Sequence, residues 1–381
     1  MISFRINHVI TSLGTGGAEL VLLKLLSRTP PQIDPTVISL TDAGPVGRSI
    51  ESLGIPVVAL GLGRGKPDPR GALRLAAELR KRHPHIIQTW LYHADLLASL
   101  VRPLVSSCKL VWGIRSTVLD PGQTSLSTRM AVRACAWLSH VSPDRIICCS
   151  EVARDFHERL GYDGQKFVTI PNGFDIETFA PSVVSRASLR AELGLPLDAV
   201  IIGHVARFHP QKDHRTLIQA ARAVCSTFPE AHFVLCGESI NWNNRILAEW
   251  IDAALPRSRV HLLGLRMDVS RLTAGFDVAV SSSSWGEAFS NALGEAMSCG
   301  VPCVATDVGD ARRMIAGTGT VVPPGSGTAL ADAIVRMLAL PKEERIRLGE
   351  AARRRVEAEF SLDMMVRRFH AVHSEVVEAR G

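Results

Sequence analysis

Short β-branched runs alternate along the chain with longer runs whose apolar residues recur every three or four positions. That alternation builds parallel sheets covered by helices on both faces. In the first half the pattern predicts strands at Phe4–Ile10, Thr36–Leu40, Pro56–Leu60, Ile86–Trp90, Lys109–Gly113, Arg145–Cys149 and Phe167–Ile170. Between them it predicts helices over Ala18–Arg28, Arg70–His83, Ala94–Val105, Leu126–Leu138 and Glu151–Leu160. The pattern then restarts, with strands at Ala199–Ala206, His232–Cys236, Val260–Leu263, Asp277–Ser281 and Pro302–Ala305. Pro171–Pro196, carrying PNGFD and SVVSRASLR, is the expected boundary. The expectation is an α/β chain of two Rossmann-like doubly wound domains, 1–172 and 173–360, with a last helix-forming run over 361–381 assigned to the first. In such sheets ligands bind at the carboxyl ends of strands, where the strand order reverses.

Length and composition agree with this. The chain's 381 residues exceed one compact core, and 46% apolar with 21% charged residues is globular. The opening MISFRINHVITSLGTGG lacks the continuous apolar stretch of an export signal. No uncharged window reaches the ~20 apolar residues of a spanning helix, so a cytoplasmic protein, soluble or peripheral on a membrane, is expected. The 8 cysteines form no CxxC, and several lie in apolar runs such as IICCS and FVLCG. They read as buried small hydrophobes in a reducing compartment. Charge is uneven: up to Ile170 there are 20 Lys and Arg against 13 Asp and Glu, an excess of seven, and after it 23 against 24. A basic half suits nucleic acid, an anionic membrane surface or an acidic substrate, or is scattered solvated charge. No motif pairs basic residues with base-reading geometry, which argues against nucleic acid.

Four stretches carry candidate chemistry. LGTGGAEL follows the first strand, and Gly14, Gly16 and Gly17 are expected to let the backbone turn tightly and approach a ligand at the next helix's N-terminus. TWLYHADL puts His93 after a strand and ahead of a helix, where it acts either as a structural cap or on a charge near neutral pH. VARFHPQKDH sets Arg207 and Lys212 five apart across a proline-containing loop, so both can converge on a diphosphate. WGEAFSNALGEAMSCG places Leu293, Ala296, Met297 and Gly300 on one helical face, with Asn291 and Glu295 opposite. That helix should start near Ser290 with its free amides forming an anion site, Glu287 lying in the loop before it. Glu287 and Glu295 are then poorly placed as an acid and base pair and better placed as hydroxyl acceptors. GLGRGK, Gly61–Lys66, is rejected as a phosphate loop, because a glycine is missing and Pro67 stands where Ser or Thr should be. There is no Asp-x-Asp and no His/Cys cluster at zinc spacing, so no metal or other cofactor is expected.

In order along the chain, LGTGGAE, TWLYHADL, CCSEVARDFHERLGY, IPNGFDIETFAP, GHVARFHPQKDH, RVHLLGLRMDV and GEAFSNALGEAMSCGVPCVATDVGD together resemble the family-4 retaining glycosyltransferases, and among them the bacterial O-antigen and surface-polysaccharide type. The resemblance implies the GT-B fold, two Rossmann-like domains facing across a cleft. It implies a donor site in which Glu287 contacts sugar hydroxyls, Glu295 holds the ribose, and Arg207 and Lys212 bind the diphosphate. Phe289, Ser290 and Asn291 would offer backbone amides to sugar and phosphate. Gly16 and Gly17 would close over the donor, His93 would stand near the transferred sugar, and Arg266 would flank the base. Phe208 and His209 depart from the commoner family form, but the Arg-to-Lys spacing is kept. The implied reaction moves a sugar from a nucleoside diphosphate sugar, UDP favoured, to a hydroxyl of a glycan or lipid-diphosphate-linked glycan, with the basic first domain on an anionic membrane. A nucleotide-sugar epimerase or hydrolase of the same fold, and a non-catalytic nucleotide- or glycan-binding module, are the alternatives.

Overall fold

The computed structural model describes residues 4–63, 69–105, 108–117 and 124–379. The chain divides into two compact units, Met1–Gly173 with Leu362–Gly381, and Phe174–Ser361. Part of GLGRGK, with Pro67, lies outside the described residues.

Unit 1 runs β1 (Phe4–Ile10), α1 (Gly17–Leu26), β2 (Ile33–Ser39), α2 (Gly44–Glu51), β3 (Val57–Ala59), α3 (Pro69–Arg82), β4 (Ile86–Trp90), α4 (Tyr92–Val101), β5 (Lys109–Ile114), α5 (Leu126–Leu138), β6 (Arg145–Cys148), α6 (Glu151–Arg159) and β7 (Phe167–Thr169). Among the described residues its seven strands are parallel, in the order β3-β2-β1-β4-β5-β6-β7. Ile6, Ile10, Ile86 and Val111 are buried on one face of the sheet and Val9, Ile87, Leu110 and Trp112 on the other, which is why these strands read as apolar runs: both faces are covered.

Unit 2 runs α7 (Val183–Glu192), β8 (Ile201–Val205), α8 (His214–Thr227), β9 (His232–Cys236), α9 (Arg245–Asp252), β10 (Val260–Leu262), α10 (Val269–Ala274), β11 (Val278–Ser281), α11 (Asn291–Ser298), β12 (Cys303–Thr306), α12 (Ala311–Ile315), β13 (Gly319–Val322), α13 (Gly327–Ala339) and α14 (Lys342–Arg355). Its six described strands are parallel, in the order β10-β9-β8-β11-β12-β13. The last helix, α15 (Leu362–Glu378), returns to unit 1. There Phe369 stacks on Trp90 at 5.8 Å, and Leu362, Met365 and Val366 join Phe4, Ile6 and Leu22 in one core.

Several elements differ from the sequence expectation, α7 among them, since it lies inside the expected boundary Pro171–Pro196. α2 (GPVGRSIE) and β13 (GTVV) are rich in glycine or bounded by Gly and Pro, which read as loop. At β13 the glycine is required: a Cβ on Gly319 would lie 2.3 Å from the Cys303 carbonyl oxygen of the neighbouring strand. The cysteines form no disulfide, and seven of the eight are buried, Cys225 being intermediate.

Both sheets reverse strand order at one place, between β1 and β4 in unit 1 and between β8 and β11 in unit 2. The segments that follow these four strands, loop or first helical turn, carry Gly16 and Gly17, His93, Arg207 and Lys212, and Glu287.

Candidate donor site and its surroundings

In unit 2 the loops after β8 and β11 are fastened together before any side chain reaches outward. The Ser284 amide donates to the Gln211 carbonyl at 2.8 Å, and Ser282 Oγ donates to the Lys212 carbonyl at 2.7 Å. A single turn, Pro210–Lys212, ends at Asp213, which adopts φ 45°, ψ 55°. Aspartate tolerates this left-handed conformation, and here its carboxylate caps α8, accepting from the Thr216 amide at 3.1 Å. Gly286, at φ +70°, turns the facing loop so that Glu287 meets Lys212. Lys212 Nζ donates to Glu287 Oε2 at 2.5 Å, and Ser283 Oγ adds a longer bond to the same oxygen at 3.4 Å. Arg207 is exposed and makes no hydrogen bond or ion pair among the described residues.

After Glu287 the chain dives inward. Phe289 is buried and stacks on Phe174 at 6.1 Å, which fixes the backbone leading into α11. Ser290 is the cap of α11, its Oγ accepting from the Leu293 amide at 3.4 Å. Leu293, Ala296 and Met297 are buried while Asn291 and Glu295 stay partly open, as the helical phase predicts. A pocket lies between the ends of β8 and β11 and the start of α11, lined by His204, Lys212, Ser283, Ser290 and Ala292 among others. The N-terminus of α11 borders the pocket, and the free amides and dipole of a helix start suit an anion.

His204 and His214 pack edge to face at 5.0 Å beside Lys212. Burial, reinforced for His214 by His204 and Lys212, pushes His204 down to about 4 and His214 to about 3, so both are neutral near pH 7. The Val280 carbonyl 2.8 Å from His204 Nδ1 accepts that nitrogen's proton. Positive charge lining the pocket is therefore left to Lys212, while Arg207, just past β8, is exposed and does not line it. Arg266 stands apart: its guanidinium pairs with Asp268 at 2.8 Å and Glu192 at 2.7 Å, and both hydrogen bonds raise its pKa. That side chain is already engaged by two carboxylates.

In unit 1 the glycine loop differs from the tight turn expected of it. Gly16 is extended (φ −79°, ψ 171°) and caps α1, and neither Gly14 nor Gly17 has a positive φ. The missing side chains instead make room. A Cβ on Gly16 would lie 2.5 Å from Glu19 Oε2, whereas nothing lies within 4 Å of where one would stand on Gly14 or Gly17. His93 sits in the first turn of α4 and not ahead of it, since the helix begins at Tyr92. The turn before it is made by Leu91 at φ 73°, ψ 153°, a region few residues other than glycine enter. His93 is half-buried, and that burial lowers its pKa below the usual histidine value. Two residues on, fully buried Asp95 is pushed up to about 8 by burial, and accepts from Thr89 Oγ1 at 2.5 Å.

Two family models cover most of the chain: "Glycosyl transferases group 1" matches residues 185–355 and "Glycosyltransferase Family 4" matches residues 15–178. The chain belongs to these glycosyltransferases. The Escherichia coli UDP-Gal:alpha-D-GlcNAc-diphosphoundecaprenol alpha-1,3-galactosyltransferase is 31% identical to it over 168 residues, 43% of each chain, so the glycosyltransferase spans less than half of that relative. Phosphatidyl-myo-inositol mannosyltransferase of Mycobacterium leprae is 24% identical over 84% of this chain and 85% of its own. Anabaena HepE, solved in complex with UDP, superposes with a TM-score of 0.84 at 22% identity, over 97% of this chain and all (100%) of the other. A Rickettsia africae glycosyltransferase gives 0.83 at 19%, covering 100% of both. At these identities the structural likeness establishes the GT-B fold.

Within the glycosyltransferase, sequence reasoning singled out Lys212, Glu287 and Ser290 but not the residues that hold them. Gln211, Ser282 and Ser283 were visible only as a polar loop and a serine run. Leu91 gives no signal at all, because nothing in a leucine announces a positive φ.

Proposed function

We propose that this glycosyltransferase moves a sugar from a UDP-sugar to a hydroxyl of a glycan or lipid-diphosphate-linked glycan in bacterial surface polysaccharide synthesis. The transfer proceeds with retention at the anomeric carbon and without a metal ion, at the cytoplasmic face of an anionic membrane. The observation that carries the donor reading is the Lys212 and Glu287 contact beside the α11 amides. Lys212 and Arg207 stabilise the charge that grows on the departing diphosphate, together with those amides. Glu287 accepts from donor-sugar hydroxyls and Glu295 from the ribose. Gly16 and Gly17 leave their backbone open to the donor, and His93 offers a hydrogen bond near the transferred sugar. Arg266 lies near the base. UDP is supported by the UDP complex of HepE, and the lipid diphosphate by the acceptor in the E. coli relative's name.

The test is a panel of nucleotides and nucleotide sugars scored by thermal stabilisation, then by transfer. A ligand at about 100 times its Kd stabilises by about 2.7 kcal/mol, so UDP and one UDP-sugar should raise Tm in EDTA as well as in magnesium. A response confined to GDP ligands, or lost in EDTA, defeats the corresponding part. Turnover of the sugar nucleotide without acceptor would favour an epimerase or hydrolase. Nucleotide binding without any turnover would favour a binding module. The proton coupling constant of the new anomeric centre reports retention.

A further inference from the structure

The helix α5 is built inside out. It packs inward through small residues, Ala131, Val132, Cys135 and Ala136, and turns its large apolar side chains to solvent. Leu126 is 70% exposed, Met130 64%, Trp137 73% and, just past the helix, Val141 71%. Their spacing of four, seven and four lays them along one stripe. Arg129, Arg133 and His140 follow one edge of it, exposed. Neither arginine makes an ion pair among the described residues, and residues 124–143 contain no Asp or Glu. Helix α4 packs beside α5 and adds Leu100, 58% exposed.

We propose that this face of α5 docks the glycosyltransferase onto an anionic bilayer, Leu126, Met130, Trp137 and Val141 entering the headgroup boundary and Arg129 and Arg133 meeting lipid phosphates. The proposal rests on the lipid-linked acceptor reading and gives that acceptor's membrane a place on the molecule. Large apolar residues beside arginines, with tryptophan among them, are the composition of helices that lie in a membrane interface. Charge selects the occupant. A second copy docked symmetrically on the same face would set Arg129 and Arg133 against their own equivalents, whereas anionic lipid neutralises both.

The test is co-sedimentation of the full-length protein with vesicles of phosphatidylcholine alone and with added phosphatidylglycerol. The wild type should pellet with the anionic vesicles and be released by salt. Met130→Ser with Trp137→Ser should lower partitioning by about tenfold or more, and Arg129→Ser with Arg133→Ser should remove the dependence on anionic lipid. All four positions are exposed, so the Tm and its shift with UDP should match wild type. Wild type that stays in solution, variants that pellet equally, or a wild-type dimer that the Trp137 variant converts to monomer would overturn the proposal. Loss of the UDP shift in every form, with vesicle binding intact, would defeat the donor reading and leave the docking face standing.

Discussion

Lys212 and Glu287 neutralise each other at 2.5 Å, so a donor entering the pocket must compete for both. On the function proposed above, the diphosphate would offer Lys212 two negative charges where Glu287 offers one, and the released carboxylate would then be available to sugar hydroxyls. Lys212→Ala should lower kcat about 10²- to 10³-fold, the loss seen when one preorganised donor to a developing charge is removed. Glu287→Ala should likewise abolish measurable transfer, and normal steady-state turnover in either variant would refute the assignment. Each of these two residues was singled out in the sequence, Lys212 by its spacing from Arg207 and Glu287 by its spacing from Glu295. Their contact was not, because it depends on the Ser284 amide and Ser282 hydroxyl fastening two loops that lie about seventy positions apart. His204 was likewise invisible, since a histidine within an apolar strand does not announce whether its partner is a carbonyl or a ligand.

At the level of elements, α11 depends on one glycine. A Cβ on Gly294 would lie 2.0 Å from the Phe174 ring, which in turn stacks on Phe289 next to Ser290. Gly294→Val should cost about 1–3 kcal/mol of overpacking, seen as a lower urea midpoint, and should raise KM for the donor because the Phe289 backbone moves with the ring. An unchanged KM at reduced stability would mean the α11 N-terminus is not coupled to this stack. Elements with apolar runs bounded by clear breakers, such as β1, β4 and β9, were readable from pattern alone. The glycine-bearing α2 and β13 were not, because local propensity opposes them and neighbouring packing overrides it. For α5 the periodicity was plain but its direction was not: small residues buried and large ones exposed reverse the usual assumption about which stripe faces the core.

Across the whole molecule, histidines are buried as neutral groups in both units. Burial holds His8 at about 3, His157 at about 4, His204 at about 4 and His214 at about 3, against 6.5 in an unfolded chain. Between those values the unfolded chain binds more protons than the folded one. The stability these groups contribute is therefore complete above about pH 6.5 and is lost as pH falls toward 3 to 4. Asp95 acts oppositely: at about 8 when folded against 3.8 unfolded, it keeps a proton that the unfolded chain releases, and its contribution declines as pH rises through that window. Tm should fall from pH 7 to pH 5, and Asp95→Asn should gain on wild type at pH 9 relative to pH 4. A flat profile, or an equal Asp95→Asn effect at both extremes, would contradict these assignments.

The return of α15 to unit 1 has a consequence for synthesis on the ribosome. Trp90, Ile6 and Leu22 share a core with Phe369, Leu362 and Met365, whose codons are read only after all of unit 2 has been translated. Unit 2 is contiguous and can close its own core during translation, while unit 1, although made first, waits for its final helix and is finished last. Expressed alone, residues 174–361 should unfold in one cooperative step, and residues 1–173 should bind a hydrophobic dye until a peptide spanning 362–379 is supplied. Nascent unit 1 is thus the part of this glycosyltransferase that most needs a chaperone.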